Sequence, residues 1–411
     1  MEKVLTIKCN AHEITGTIEL PGSKSESNRA LIINALSGNL SELHNLSHSS
    51  DTLILQKALA SKESTVDIKD AGTAMRFLTS YFTATKQDKI LTGTSRMLQR
   101  PIAPLVEALT EMGADIEYTG VPGFPPIKIQ GSKSNFIKNK ISIKTNTSSQ
   151  FISALLMIAP VLPEGLNIEF SGKIISRPYI DMTLAIMNHF GIKGECTAKG
   201  LNISKQNYKP ADYTIESDWS CASYWYLIAA LSNDPAIFLK GLKRHSFQGD
   251  SIIQELFKPF GIITEFSDTG AFISKGNENF SLIPETLDFT DNPDLAQTYI
   301  VLCAAKNIHC KFTGLQSLRI KETDRIEALK TELEKFSVQF NEEEKNIFTL
   351  HGTFNPQPAT IETYNDHRMA MAFAPLALIC PEIKITNSNC VEKSYPSFWK
   401  DLSETGFLIL V

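Results

Sequence analysis

Three stretches of this 411-residue chain run an amphipathic segment into a glycine and then directly into an apolar, strand-like run. They are Pro101 to Gly113 followed by Ala114-Asp115-Ile116, Pro178 to Gly191 followed by Ile192, and Gln248 to Gly261 followed by Ile262-Ile263. This is the pattern of a helix closed by a C′ glycine and feeding a strand. The glycines lie 78 and then 70 residues apart. A fourth stretch, Glu322 to Phe336, has the helical pattern without the closing glycine. The simplest reading is one α/β unit used several times; the plainer one is coincidence among ordinary helix–Gly–strand joints. Short β-rich runs lie between, among them Ile141 to Lys144, Leu166 to Phe170 and Ile383 to Thr386. Chain length favours two or three domains. A boundary is expected near Lys209 to Tyr213, before a new helix starting near Ser220.

Charge and cysteine usage exclude several classes. The net charge is -5, so the surface as a whole is no nucleic-acid footprint, although a local basic cleft remains open. Seven cysteines are scattered without CxxC spacing, and no HxH or HExxH occurs. Zinc, iron–sulfur and disulfide-framework readings therefore lack support, and free thiols in a reducing cytoplasm fit best. Charged residues interrupt the opening Met1 to Lys8, so no secretory signal is expected. The longest weakly polar stretch, Met369 to Cys380, is too short to span a membrane, which takes about 20 residues. Neither a GxGxxG after a strand nor a GxxxxGK[ST] is present.

The chemistry-bearing residues gather at helix entrances. In Leu20 to Leu31, LPGSKSESNRAL, Lys24 with Asn28 and Ser25 with Arg29 are i,i+4 pairs that share a helix face. Hydroxyls, an ammonium and a guanidinium near free backbone N–H groups suit an oxyanion, phosphate in particular. The bland alternative is a capped helix with a wet, positive first turn. Positive charge there opposes the helix dipole unless an anion compensates. Asp70 to Arg76, DAGTAMR, offers small residues for close backbone approach, Gly72 among them. Arg100 precedes Pro101, which fits the first helical position. Ser148-Ser149-Gln150 and Ser176-Arg177-Pro178-Tyr179 repeat the arrangement. In the second half Arg319 to Arg325 (RIKETDR), Tyr364 to Arg368 (YNDHR) and Lys393 add further cations. Asp294 reads as a helix cap or a base. His367 reads as a structural residue. Lysine, arginine, serine, glutamine and carboxylates together suit small polyanions and proton transfer. Cations from both halves would place the site between two lobes.

In combination these segments become specific. Leu20 to Ala30, DAGTAMR, Arg100-Pro101-Ile102, Ser148 to Phe151, RIKETDR and Tyr364 to Met371 (YNDHRMAM) occur in the order seen in the enolpyruvyl transferases, and the chain resembles that family over nearly its whole length. The resemblance implies an inside-out α/β fold of two domains, each with three βαβαββ repeats, helices inside and sheets outside. It implies residues 14–214 for the first domain and 1–13 with 215–411 for the second, the active site lying in the cleft between them. The implied reaction moves the enolpyruvyl group of phosphoenolpyruvate to the 5-hydroxyl of shikimate 3-phosphate, with no metal or organic cofactor, in a cytoplasmic monomer. By resemblance Ser25, Arg29, Ser148, Ser149, Ser176, Tyr179, Ser317 and Lys321 hold shikimate 3-phosphate. Lys24, Gly72, Arg100, Gln150, Arg325, Arg368 and Lys393 surround phosphoenolpyruvate. Asp294, assisted by Lys24, receives or orients the hydroxyl proton, and Glu322 protonates the methylene carbon; which carboxylate performs each transfer stays open.

The chain departs from the family at four points, one being Ser47 to Ser50, before Asp51, which lacks the usual acidic run. Asp70 stands where asparagine is usual and would need to point away or pair with a cation such as Arg76. Ser317 replaces asparagine, and Phe77 follows Arg76 where proline is usual; Gly72 is kept, so sensitivity to glyphosate is expected. The alternatives are a transferase acting on UDP-N-acetylglucosamine, disfavoured because no cysteine lies between Cys9 and Cys196, a noncatalytic polyanion binder of the same fold, and a nucleic-acid binder. No nucleic-acid or membrane partner is expected.

Overall fold

The computed structural model describes residues 4–11, 13–144, 148–172 and 174–411. The chain divides into two compact units, Gly22–Ile215 and a discontinuous one built from Met1–Pro21 with Glu216–Val411.

The Gly22–Ile215 unit carries helices α1 (Lys24–Leu36), α2 (Ser50–Ala60), α3 (Gly72–Ala84), α4 (Ala103–Met112), α5 (Ser149–Ile158) and α6 (Arg177–His189). Strands Thr65–Asp67, Asp88–Thr92, Ile127–Gln130 and Ile116–Tyr118 form one sheet in that order. A second runs Glu195–Cys196, Gly200–Ile203, Leu166–Ser171, Lys140–Lys144. Leu43–His44 pairs in parallel with Tyr213–Thr214. Among the described residues this third sheet has two strands, where a full βαβαββ repeat would give four.

The discontinuous unit carries α7 (Trp219–Leu231), α8 (Ile253–Leu256), α9 (Ala296–Ala305), α10 (Arg325–Glu334), α11 (His367–Phe373) and α12 (Phe398–Glu404). Its three sheets have four strands each among the described residues. Leu5–Cys9 lies between Ile383–Ile385 and Phe407–Leu410. Glu13–Glu19 pairs in parallel along the whole of Asp234–Lys240. That pairing moves the first crossing to Pro21/Gly22, beyond the expected 13/14, and the return falls at Ile215/Glu216.

The helices are the core. Every residue of α7 except Ser220 is buried, as is every residue of α9 except Ala305. A helix apolar on all sides has no face for water and must sit inside its layer of sheets. The sheet strands instead alternate, as in Lys140–Lys144, where Ile141 and Ile143 are buried between exposed neighbours. Gly113 closes α4 at φ 110°, and a Cβ there would lie 2.1 Å from the Asn135 carbonyl oxygen, so only glycine fits. Two local expectations need correction. Gln248 to Gly261 is not one helix but 3-10 turns around the short α8; Pro259, which lacks an N–H, lies in the closing turn after α8 ends. Pro101 lies outside α4, which Ile102 caps. No helix among the described residues is long and apolar enough to cross a membrane.

Candidate functional site

In the Gly22–Ile215 unit, Ser23 caps α1 by accepting from the Glu26 N–H at 3.4 Å. That cap sets Lys24 at the first helical position. Lys24 Nζ lies 3.6 Å from Oδ2 of Asp51, a buried carboxylate in the first turn of α2. Ser25, next on α1, gives its carbonyl to Arg29 Nη1 at 2.8 Å. Arg29 is 2% exposed. It also donates to Thr183 Oγ1 at 2.7 Å, Ser153 Oγ at 3.1 Å and the Tyr179 carbonyl at 3.3 Å, all neutral acceptors. Its guanidinium lies 5.4 Å from the Phe77 ring and 5.9 Å from that of Tyr179. Burial pulls its pKa down to about 10, which still leaves it charged at neutral pH. Ser176, before α6, holds φ at 53°, a conformation that a non-glycine residue keeps only when its surroundings impose it.

The starts of α3 and α5 meet. Ser148 caps α5 by accepting from Gln150 N–H at 3.3 Å, with Ser149 buried beside it. Gln150 Nε2 then donates to Thr73 Oγ1 at 3.2 Å. A Cβ on Gly72 would fall 2.6 Å from Arg100 Nη1 and 2.8 Å from its Cζ, so the glycine is what lets the guanidinium lie against the backbone. Arg100 is buried, and its Nε has no hydrogen-bond partner among the described residues. Asp70 accepts from Thr94 Oγ1, and Arg76 donates to the Gly72 and Pro101 carbonyls, each at 3.0 Å. The Thr94 hydroxyl is thus among the partners of Asp70, and Arg76 gives these two bonds to carbonyls.

The discontinuous unit holds a dense ion cluster. Asp294 Oδ1 lies 3.2 Å from Arg325 Nη1 and 3.5 Å from Lys321 Nζ, and its Oδ2 lies 2.9 Å from Arg368 Nη2. Burial acts to raise its pKa, but Arg368, Lys321 and Arg325 outweigh that and hold it well below the usual carboxylate range. It does not cap α9, whose start has no side-chain cap; the cations claim its oxygens instead. Glu322 Oε2 accepts from Arg325 Nη2 at 2.9 Å, and its Oε1 lies 4.0 Å from Lys393 Nζ. Arg325 is 1% exposed and also donates through Nε to Asp366 at 2.7 Å. Asp366 caps α11 by accepting from the Arg368 N–H at 2.9 Å. Arg368 Nη1 donates to the Tyr224 hydroxyl at 3.2 Å. Lys321 is lowered by burial despite Asp294. Ser317 sits half-buried on the 3-10 turn Gln316–Ile320 just before it.

Asp51, Asp250 and Tyr224 were not singled out by sequence reasoning, and Asp366 was read only as part of YNDHR. Asp51, Asp366 and Tyr224 are each a partner of a cation. Asp366 lay in plain view inside YNDHR, at an N-cap position. Asp250, buried, accepts from Ser220 Oγ and from Asn292 Nδ2 at 3.4 Å. Burial, then the charge of Asp294, pushes its pKa up to about 6. Among the described residues no group of three or more His, Cys, Asp or Glu is placed to hold a metal ion.

The family model described as EPSP synthase (3-phosphoshikimate 1-carboxyvinyltransferase) matches residues 9–61 and 54–402. A 3-phosphoshikimate 1-carboxyvinyltransferase of Bacteroides fragilis strain YCH46 is 50% identical over 402 residues, covering 97% of each chain. One from Buchnera aphidicola subsp. Baizongia pistaciae is 34% identical, covering 95% of this chain and 96% of its own. Among solved structures, EPSP synthase from Acinetobacter baumannii shares the fold at a TM-score of 0.78 and 20% identity, covering 100% of both chains. The enolpyruvyl transferase NikO from Streptomyces tendae does so at 0.74 and 12%, covering 100% of this chain and 99% of its own.

Proposed function

The chain belongs to the EPSP synthase (3-phosphoshikimate 1-carboxyvinyltransferase) family, and on that premise we propose how its residues run the reaction. The enzyme joins the carboxyvinyl group of phosphoenolpyruvate to the 5-hydroxyl of shikimate 3-phosphate and releases phosphate, a step of the shikimate pathway toward aromatic amino acids. One observation carries the assignment of roles: a carboxylate, Asp294, is kept ionised by Lys321, Arg325 and Arg368, with a second carboxylate, Glu322, on the same Arg325.

Within the discontinuous unit Arg325, Arg368 and Lys393 are assigned to phosphoenolpyruvate; within the Gly22–Ile215 unit the residues assigned to it are Lys24, Arg100 and Gln150, with Gly72 leaving room for Arg100. The unpartnered Arg100 Nε supports that reading, since a buried cationic N–H without an acceptor suits an anion. Arg29, held only by neutral acceptors, keeps its charge available to shikimate 3-phosphate. Ser25, Ser148, Ser149, Ser176, Tyr179, Ser317 and Lys321 complete that subsite.

In the free protein Arg368, Lys321 and Arg325 hold Asp294 well below the usual carboxylate range, which weakens it as a base. When the anions of phosphoenolpyruvate share Arg325 and Arg368, less positive charge stabilises the carboxylate and its pKa rises. Substrate binding therefore strengthens the base. The 5-oxygen attacks C2 of phosphoenolpyruvate as its proton passes to Asp294, with Lys24 assisting. Glu322, which takes up a proton when the anions of phosphoenolpyruvate draw on Arg325 and Lys393, delivers it to C3, making a methyl group. The tetrahedral adduct then expels phosphate, which carries away the proton held by Asp294, and one methyl proton returns to Glu322, regenerating the vinyl group. Preorganised cations stabilise the charge that moves among these oxygens; losing one such donor costs about 3 kcal/mol, roughly a hundredfold in rate. A cytoplasmic setting is part of this proposal, supported by seven free cysteines.

The test is phosphate release with each substrate omitted in turn, the organic product being identified by mass. Phosphate and enolpyruvyl product only with both substrates supports the assignment. Turnover with UDP-N-acetylglucosamine in place of shikimate 3-phosphate would redirect it.

A further inference from the structure

The turn that launches Asp366 and Arg368 is held in an unfavourable shape. Tyr364 and Asn365, consecutive and neither of them glycine, sit at φ 53° and 58°. Asparagine tolerates the left-handed region; tyrosine pays a steric cost there and needs to be held. The clamp is Glu332 of α10, which is 0% exposed. It accepts from the Tyr364 hydroxyl at 2.9 Å, from the Glu362 N–H at 3.1 Å and from Lys335 Nζ at 2.6 Å. Burial, then Glu332, pushes the Tyr364 phenol up to about 12, so it remains a donor.

On the far side of the turn, Asn387 Nδ2 donates to Asn365 Oδ1, and Thr386 Oγ1 donates to Glu362 Oε1 at 2.7 Å. Asn387 is itself left-handed, at φ 43°, and opens the 3-10 run Ser388–Lys393. The helix that begins with Arg325 is thus tied to the turn at two levels, by Arg325 to Asp366 and two helical turns later by Glu332 to Tyr364. The turn in its place is tied to the segment that ends on Lys393. Arg325, Arg368 and Lys393 hang on one hydrogen-bonded frame whose buried centre is Glu332.

We infer that Glu332 and Tyr364 are positioning residues for phosphoenolpyruvate: they touch no substrate, and they fix the spacing of the three cations that bind it. The inference rests on the proposed reading of those cations. Displacing a positioned group by about 1 Å costs on the order of a hundredfold.

The experiment is steady-state kinetics of the full-length protein and of Tyr364→Phe and Glu332→Gln, varying phosphoenolpyruvate and shikimate 3-phosphate separately, with a thermal midpoint for each. The expected result is a KM for phosphoenolpyruvate raised about 10- to 100-fold, with the KM for shikimate 3-phosphate within about twofold of wild type. A residue that served stability alone would lower the midpoint and the active fraction while leaving both KM values in place, and that result overturns the inference. So does a parallel rise in both. Glu332→Gln removes a buried charge and is the harder variant to fold. Tyr364→Phe removes one oxygen, and if it too fails to fold, the bond belongs to stability and the inference is lost. Wild-type protein without turnover sinks the reaction itself; turnover with unmoved KM values sinks only the positioning role.

Discussion

Asp250 lies buried near Asp294 and outside the proposed chemistry, and its charge is what its surroundings resist. Burial, Asp294 and Asp218 favour its protonated form, against Ser220 and Arg368. With a folded pKa of about 6 against an ordinary 3.8, the native state binds this proton more tightly than the unfolded chain does. The stability it contributes is complete below about pH 4 and is lost as pH rises through about 6, on the order of 3 kcal/mol in all. Asp250→Asn should remove that slope and be the more stable protein at pH 7, as thermal midpoints taken across pH 4–8 would show. Parallel curves for the two proteins would count against it. Gly72→Ala probes the other unit. Its Cβ would strike the Arg100 guanidinium, so the KM for phosphoenolpyruvate should rise about tenfold or more with little change in thermal midpoint. Residues inside motifs, such as Lys24 and Arg325, were legible in the sequence because several polar types crowd one helix start. Partners of Arg325 that lie in motifs, Asp294 and Glu322, were legible too, whereas the partner of Lys24 was not. Asp51 lies in a separate helix, and nothing local marks it as facing Lys24.

At the scale of elements, helix ends were legible wherever backbone chemistry forces one residue type. Gly113, Gly191 and Gly261 all hold positive φ, as their place after an amphipathic run implies. What failed was continuity within an element. The third repeat's stretch is 3-10 turns around the short α8, and Leu295 rather than Asp294 stands at the cap of α9. The apolar pattern reports burial, and it does not report whether a neighbouring cation has taken a carboxylate away from the cap. Gly113→Ala should destabilise the Gly22–Ile215 unit by about 2 kcal/mol or more, since alanine meets both a left-handed φ and the Asn135 carbonyl. A urea midpoint equal to wild type would show that the segment after α4 yields instead.

For the molecule as a whole, the decisive fact is that one unit is contiguous and the other is not. The two units have separate hydrophobic cores. A fragment of residues 22–215 should therefore fold and unfold cooperatively by itself. Residues 216–411 alone should not, because Leu5–Cys9 and Glu13–Glu19 are missing from two of their sheets. Near-ultraviolet circular dichroism of both fragments checks this, and a well-folded 216–411 fragment would show that the N-terminal strands are dispensable. The boundary at Pro21/Gly22 was hidden in the sequence because strand pairing across more than two hundred residues leaves no local mark. Glu322 is proposed as the acid that protonates phosphoenolpyruvate, and solvent isotope reads that role most directly. With both substrates in deuterium oxide, wild-type protein should place deuterium in the vinyl methylene of the product, because the transient methyl group gains one solvent deuteron and returns one hydron. Glu322→Gln should lose both that label and phosphate release by about a hundredfold. Label and phosphate from Glu322→Gln at the wild-type rate would assign the proton to another residue and contradict the account.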